Sequence, residues 1–135
     1  MDLGLVGRTV LVTASSGGIG RQCALQLAAE GARIVLCARG TEKLETTRAE
    51  VAAIAGDANV FAQAADVTST ADMTALVDAA TARFGAIDVL VCIGGSPKRG
   101  GFLEVNEQDL RDAFELTVVA AFRAIKLVLP GMRAR

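Results

Sequence analysis

Histidine, tyrosine and tryptophan are absent from this 135-residue chain, and its five phenylalanines are its only aromatic side chains. The first two absences remove the commonest groups for moving protons near neutral pH. No charge of one sign dominates, since 14 Lys and Arg face 15 Asp and Glu for a formal net charge of -1. Nothing in that balance points to a nucleic-acid partner. The opening Met1-Asp2-Leu3-Gly4 lacks the cationic and apolar regions of a secretory signal. Long apolar runs are missing as well. The best candidate, Leu116 to Phe122, is bracketed by Glu115 and Arg123 and falls far short of a hydrocarbon core of about 30 Å. A soluble, cytoplasmic protein with no membrane partner is expected. Cysteine is scarce, and Cys23, Cys37 and Cys92 are odd in number and without C-x-x-C spacing. They fit reduced, buried thiols better than a disulfide framework, and no metal site is expected.

The chain does hold 52% hydrophobic residues, ample for the core of one domain over residues 1–135. Short runs rich in β-branched residues, Thr9–Thr13, Arg33–Cys37, Asn59–Ala65 and Ile87–Cys92, read as strands buried on both faces, because their apolar residues run consecutively. Between them, Gly18–Glu30, Thr41–Ala55, Ser69–Phe84 and Glu107–Met132 carry helical spacing. Gly31, Gly56 and Gly85 stand where three of these helices should end. This alternation predicts an α/β, Rossmann-type doubly wound parallel sheet of about four strands. Gly94 to Gly101 reads as a loop at the C-terminal end of the fourth strand, where ligands sit in such sheets.

The last predicted helix is apolar around most of its circumference. Leu110, Phe114, Thr117, Ala121 and Ala124 form one stripe, and Val118, Val119, Phe122, Ile125 and Leu129 form another. Such a helix needs cover on two sides. The sheet can supply one; further chain or a second subunit would supply the other, so a homo-oligomer through this helix or the sheet edge is expected.

The strongest local signal is Thr13-Ala14-Ser15-Ser16-Gly17-Gly18-Ile19-Gly20, directly after the first strand and opening the first helix. Small residues there let the backbone approach a pyrophosphate. The helix N-terminus adds free N–H donors and a partial positive charge of roughly half a unit. A purely structural turn would use similar residues, but within a βαβ pattern nucleotide binding is the better reading.

That segment resembles the Thr-Gly-x-x-x-Gly-x-Gly fingerprint of the short-chain dehydrogenases/reductases, with Thr13, Gly18, Ile19 and Gly20 matching and Ala14 in place of the first glycine. The resemblance runs along essentially the whole chain and implies an NAD(P)(H)-dependent oxidoreductase. Ala14, Ser15, Ser16, Gly18, Ile19 and Gly20 would then surround the cofactor phosphates, Ala14 being tolerable if its φ is negative. At the end of the second strand, NAD-preferring relatives usually carry a carboxylate. Here Cys37-Ala38-Arg39 has none, and Arg39 is placed for a 2′-phosphate, so NADP(H) is expected over NAD(H). The alternative is a solvated charge at a strand end. Asp66-Val67 resembles the family's adenine-contacting pair; the other reading of Asp66 is a helix cap, a role Ser69 or Thr70 could fill.

Two stretches depart from the family pattern. Cys92-Ile93-Gly94-Gly95 replaces Asn-Asn-Ala-Gly, leaving Gly94 to approach the nicotinamide ribose without the tying amides, and Thr117 stands where an active-site Asn is usual. The family's catalytic serine, tyrosine and lysine would lie beyond the last helix. With no tyrosine present and lysines only at 43, 98 and 126, no catalytic residue is assigned. The chain is thus expected to be an incomplete domain: the cofactor-binding half of an enzyme that moves hydride between NADPH and a carbonyl or alcohol, inactive alone. The alternative is a non-catalytic nucleotide-binding or assembly module. Lys98 and Arg99 could meet an acidic substrate, although solvated loop charges are the plainer reading.

Overall fold

The computed structural model describes residues 1–135. Four strands, β1 (Thr9–Val12), β2 (Arg33–Ala38), β3 (Val60–Ala64) and β4 (Val89–Val91), form one parallel sheet in the order β3-β2-β1-β4. Helices α1 (Gly18–Ala29), α2 (Thr41–Ala55) and α3 (Thr70–Phe84) make the crossovers.

The consecutive apolar runs of β1 and β2 result from their central place. Val10, Val12, Ile34 and Leu36 point to one face, where Ala24 and Ala28 of α1 and Leu44 and Val51 of α2 cover them. Leu11, Val35 and Cys37 point to the other, beneath Met73, Leu76 and Ala80 of α3. Each fully buried Leu or Met here contributes roughly 1.5–3 kcal/mol by leaving water. The outer strands differ from the expectation of burial on both faces: β3 and β4 are largely half-buried, because each occupies an edge of this sheet.

Helix ends obey local chemistry. Ser69 caps α3 by accepting the Asp72 N–H at 3.1 Å, so α3 starts one residue after the predicted boundary. Gly56 (φ 88°, ψ 147°) and Gly85 (φ 80°, ψ -165°) end α2 and α3 in backbone conformations essentially closed to other residues.

The predicted single helix over Glu107–Met132 is instead three joined pieces: α4 (Glu107–Phe114), a π-helical segment (Glu115–Val119) and α5 (Ala120–Arg133). The wider π turn rotates α5 relative to its position in a regular α-helix, and the two predicted stripes regroup accordingly. Ala120, Ala124 and Val128 face inward. Leu110, Phe114, Val118, Phe122, Ile125 and Leu129 form one exposed line. No helix is long and apolar enough to cross a membrane.

Candidate functional site

In a 3-2-1-4 parallel sheet the winding of successive strands reverses between β1 and β4, which still run in the same direction, and a crevice opens at their C-terminal ends. The turn Thr13–Gly17 and the segment Cys92–Gly95 meet there. Thr13 joins them: its hydroxyl donates to the Ile93 carbonyl at 3.0 Å and accepts the Ile93 N–H at 2.8 Å. This one hydroxyl ties the end of β4 to its neighbour in a stretch without asparagine amides. Beside it lies a small cavity of about 40 Å³, lined by Thr13, Val67, Cys92, Gly94 and Thr117 among others.

The turn itself is tightly built. Gly18 has φ 53°, and a Cβ there would meet nothing within 4 Å, so glycine serves the backbone conformation and leaves open space above. Gly20 has the opposite constraint. A Cβ would collide with the Ala14 carbonyl oxygen and lie 3.1 Å from the Ser15 Cα, so only glycine lets α1 start this close to the strand. Ala14 has φ 49°, against the negative φ on which its tolerance was premised. Its methyl is accommodated in the left-handed region at a conformational cost of roughly 1–2 kcal/mol.

Ser15 is completely buried. Its hydroxyl donates to the Cys37 carbonyl at 3.2 Å and accepts the Cys37 N–H at 3.0 Å, fastening the turn to β2. In this conformation Ser15 is part of the scaffold beneath the turn, and its side chain presents nothing to a ligand. Ser16, by contrast, is half-buried, and Ile19 is 71% exposed.

Helix α1 is also distinctive at its start. Its N-cap, Gly17, offers no side-chain acceptor, and no acidic residue lies in the first turn. Helices α3 and α4 instead have Ser69 and Asn106 as caps, and α2, which also starts behind an uncapped glycine, Gly40, carries Glu42 in its first turn. The Gly18, Ile19 and Gly20 N–H groups find no protein acceptor. Orphan donors at a helix start, reinforced by the macrodipole, can hold an anion such as a diphosphate. The uncapped donors and the open space over Gly18 fit that group.

The other predicted residues lie around the same end of the sheet. Arg39, just past β2, is exposed and forms no ion pair. Asp66 comes after β3, whose register runs beside β2 up to the Ala38–Ala64 pair. Hydrogen bonds from Thr68 hold the Asp66 carboxyl below its ordinary range, with smaller help from the Arg39 and Arg123 charges. Thr68 donates both its N–H (2.9 Å) and its hydroxyl (2.7 Å) to Oδ1; Oδ2 has no such partner. Thus Ser69 is the cap, and Asp66 both forms a local turn and keeps one oxygen free. Val67 is half-buried.

Gly94 is exposed, and a Cβ on it would touch Thr117 Cγ2 at 3.4 Å; one on Gly95 would press on Leu116 at 3.0 Å. These glycines therefore serve the approach of the π segment. Thr117 turns its hydroxyl inward, donating to the Ala113 carbonyl at 2.6 Å. Lys98 pairs with Asp109 at 2.8 Å and is part of the loop's own structure. Of the three thiols expected to be buried, only Cys37 is, Cys23 being half-buried and Cys92 exposed. Burial pushes the Cys37 thiol up to about 12, and partial desolvation raises that of Cys92, so neither is an activated nucleophile. Sequence reasoning gave no site role to Arg123, which donates to the Val67 carbonyl at 2.8 Å. Its only sequence signal was a basic residue on the thin polar strip of an apolar helix.

Known proteins share this arrangement. The 7alpha-hydroxysteroid dehydrogenase of Escherichia coli K12 is 32% identical over 133 residues, covering 97% of this chain and 50% of the relative. The 2-keto-3-deoxy-L-fuconate dehydrogenase of Xanthomonas campestris is 37% identical over 131 residues, covering 97% and 40%. Among solved structures, L-sorbose reductase from Gluconobacter frateurii, complexed with NADPH and L-sorbose, superposes with a TM-score of 0.91 at 35% identity, covering 100% of this chain and 51% of that one. The chain spans about half the length of these relatives. The short chain dehydrogenase family profile matches residues 8–135. With its parallel sheet, glycine turn and uncapped first helix, the chain belongs to the short-chain dehydrogenase/reductase family.

Proposed function

We propose that this chain holds NADP(H) against the turn from Ala14 to Gly20 and forms the dinucleotide-binding part of an oxidoreductase acting on a carbonyl or alcohol. The observation that carries this reading is the uncapped start of α1 at the sheet's switch point. The N–H groups of Gly18, Ile19 and Gly20, with Ser16 beside them, would receive the diphosphate. Arg39 would pair with the 2′-phosphate as a planar fork. The free Asp66 Oδ2 would accept from the adenine amine while Val67 packs on the ring, and Gly94 would border the nicotinamide ribose. The bound nicotinamide would supply the redox chemistry. The chain's own residues bind and orient it, and Ser15 and Thr13 hold the turn that does so.

These 135 residues have neither tyrosine nor histidine, the commonest groups for the proton transfer that accompanies carbonyl reduction. We therefore expect binding without turnover. Three free cysteines accord with a reducing, cytoplasmic setting. Calorimetric titration tests the cofactor choice. NADPH is expected to bind at least about tenfold more tightly than NADH, and Arg39→Ala to erase the difference, consistent with about 1.4 kcal/mol or more from a charge-assisted pair. Equal affinities in the unaltered chain would contradict the assignment to Arg39.

A second reading, a non-catalytic nucleotide-binding or assembly module, draws on the exposed line from Leu110 through Phe114, Phe122 and Leu129, which are 68%, 57%, 63% and 43% exposed. An apolar face of this kind marks an interaction surface. Either reading leads us to expect a homo-oligomer.

A further inference from the structure

A guanidinium drawn out of water needs an acceptor for most of its N–H groups. Arg123 on α5 keeps only 15% of its side-chain surface exposed. Its Nη1 donates to the Val67 carbonyl at 2.8 Å, its Nε to the Thr70 hydroxyl at 2.9 Å, and its Nη2 to Glu115 Oε1 at 2.9 Å. These partners belong to the turn after β3, the first residue of α3 and the π segment. A planar fork fixes the directions of all three bonds together, so moving one partner strains the others. The π segment in turn packs Leu116 and Thr117 against Gly95 and Gly94. One side chain thus links the Val67 turn, at the end of β3, to the segment facing the end of β4.

We propose that Arg123 is a positioning residue that couples the adenine side of the dinucleotide site to the π segment Glu115–Val119. It sets Val67 through its carbonyl, leaving the Val67 side chain to pack on a ring, and through Glu115 it sets the stretch that borders Gly94. This rests on the dinucleotide reading above. Coupling is reciprocal: if Arg123 favours ligand binding by ordering the turn, ligand binding must stiffen the π segment through Arg123.

The test uses the full chain in three forms, unaltered, Arg123→Met and Glu115→Gln. Each is titrated with 2′,5′-ADP, which carries only the adenine side, and monitored by amide hydrogen exchange with and without saturating NADPH. Arg123→Met is expected to weaken 2′,5′-ADP by about tenfold and Glu115→Gln by about threefold, within the ordinary range of coupling between sites. NADPH should slow exchange over Leu116–Val119 in the unaltered chain and not in Arg123→Met, while Gly18–Gly20 are protected in both. A merely structural arginine would lower the melting temperature yet leave both the 2′,5′-ADP affinity and the ligand-dependent protection of Leu116–Val119 intact; that result overturns the proposal. If Arg123→Met does not fold, unchanged affinity and protection in Glu115→Gln overturn it equally. Failure of the unaltered chain to bind either ligand removes the dinucleotide reading and this proposal together. Normal binding in all three forms removes the coupling alone.

Discussion

Ala14 sits at φ 49°, in a region where a Cβ is crowded by the next carbonyl along the chain. Ala14→Gly is expected to stabilise the fold by about 0.5–1 kcal/mol, the relief being partly offset by the greater freedom of glycine in the unfolded chain. Chemical denaturation checks this, and a loss of stability would show that the turn has no strain to release. The alanine was plain in the sequence, but the sign of its φ was not, because it depends on how closely Gly20 lets the helix approach. Ser15 teaches the same lesson, since its residue type suits a phosphate, whereas its buried hydroxyl is bonded to the Cys37 backbone of β2. Cys37 gives a second prediction at this scale. Completely buried, with its thiol raised to about 12, it should stay unmodified when the native protein is alkylated at neutral pH, and react once the chain is unfolded. Mass spectrometry of the peptides distinguishes the outcomes; rapid native labelling at Cys37 would mean that β2 opens readily.

Among the elements, the three βα crossovers were legible because buried parallel strands need consecutive apolar residues and their helices need a stripe. The edges were less so: the run Ile87–Cys92 looks like a central strand, yet only Val89–Val91 pair, with β1 alone. The π segment had no sequence signature, since its residues keep helical character and only the hydrogen-bond ladder changes. Helix α4 starts with a reciprocal cap, Asn106 accepting the Asp109 N–H at 2.8 Å and Asp109 accepting the Asn106 N–H at 3.0 Å. Asn106→Ala should cost about 1 kcal/mol, measured by thermal melts. Hydrogen bonds from Lys98 and the Asn106 backbone hold the Asp109 carboxyl below its ordinary value of 3.8. Its contribution is therefore fully present above that value and is lost as pH falls through the lower folded one. Asp109→Asn should flatten this part of the acid titration of helicity; an unchanged profile would place the acid sensitivity elsewhere.

For the molecule as a whole, two features remain to be joined: the candidate site at one end of the sheet and an exposed apolar line along α4 and α5. If that line is an interface between copies, Phe122→Glu, at a residue 63% exposed, should shift sedimentation toward monomer without lowering the melting temperature of the monomer itself. A chain already monomeric at micromolar concentration would leave the line without that role. The site depends on a simpler physical claim, that bare amides at the start of α1 attract a diphosphate. The most direct measurement is an amide NMR titration with NADPH. The account predicts saturable shifts concentrated at Ser16, Gly18, Ile19 and Gly20, with smaller ones near Arg39 and Val67. Unchanged resonances in the Ser16–Gly20 stretch at millimolar NADPH, in a folded protein, would contradict it.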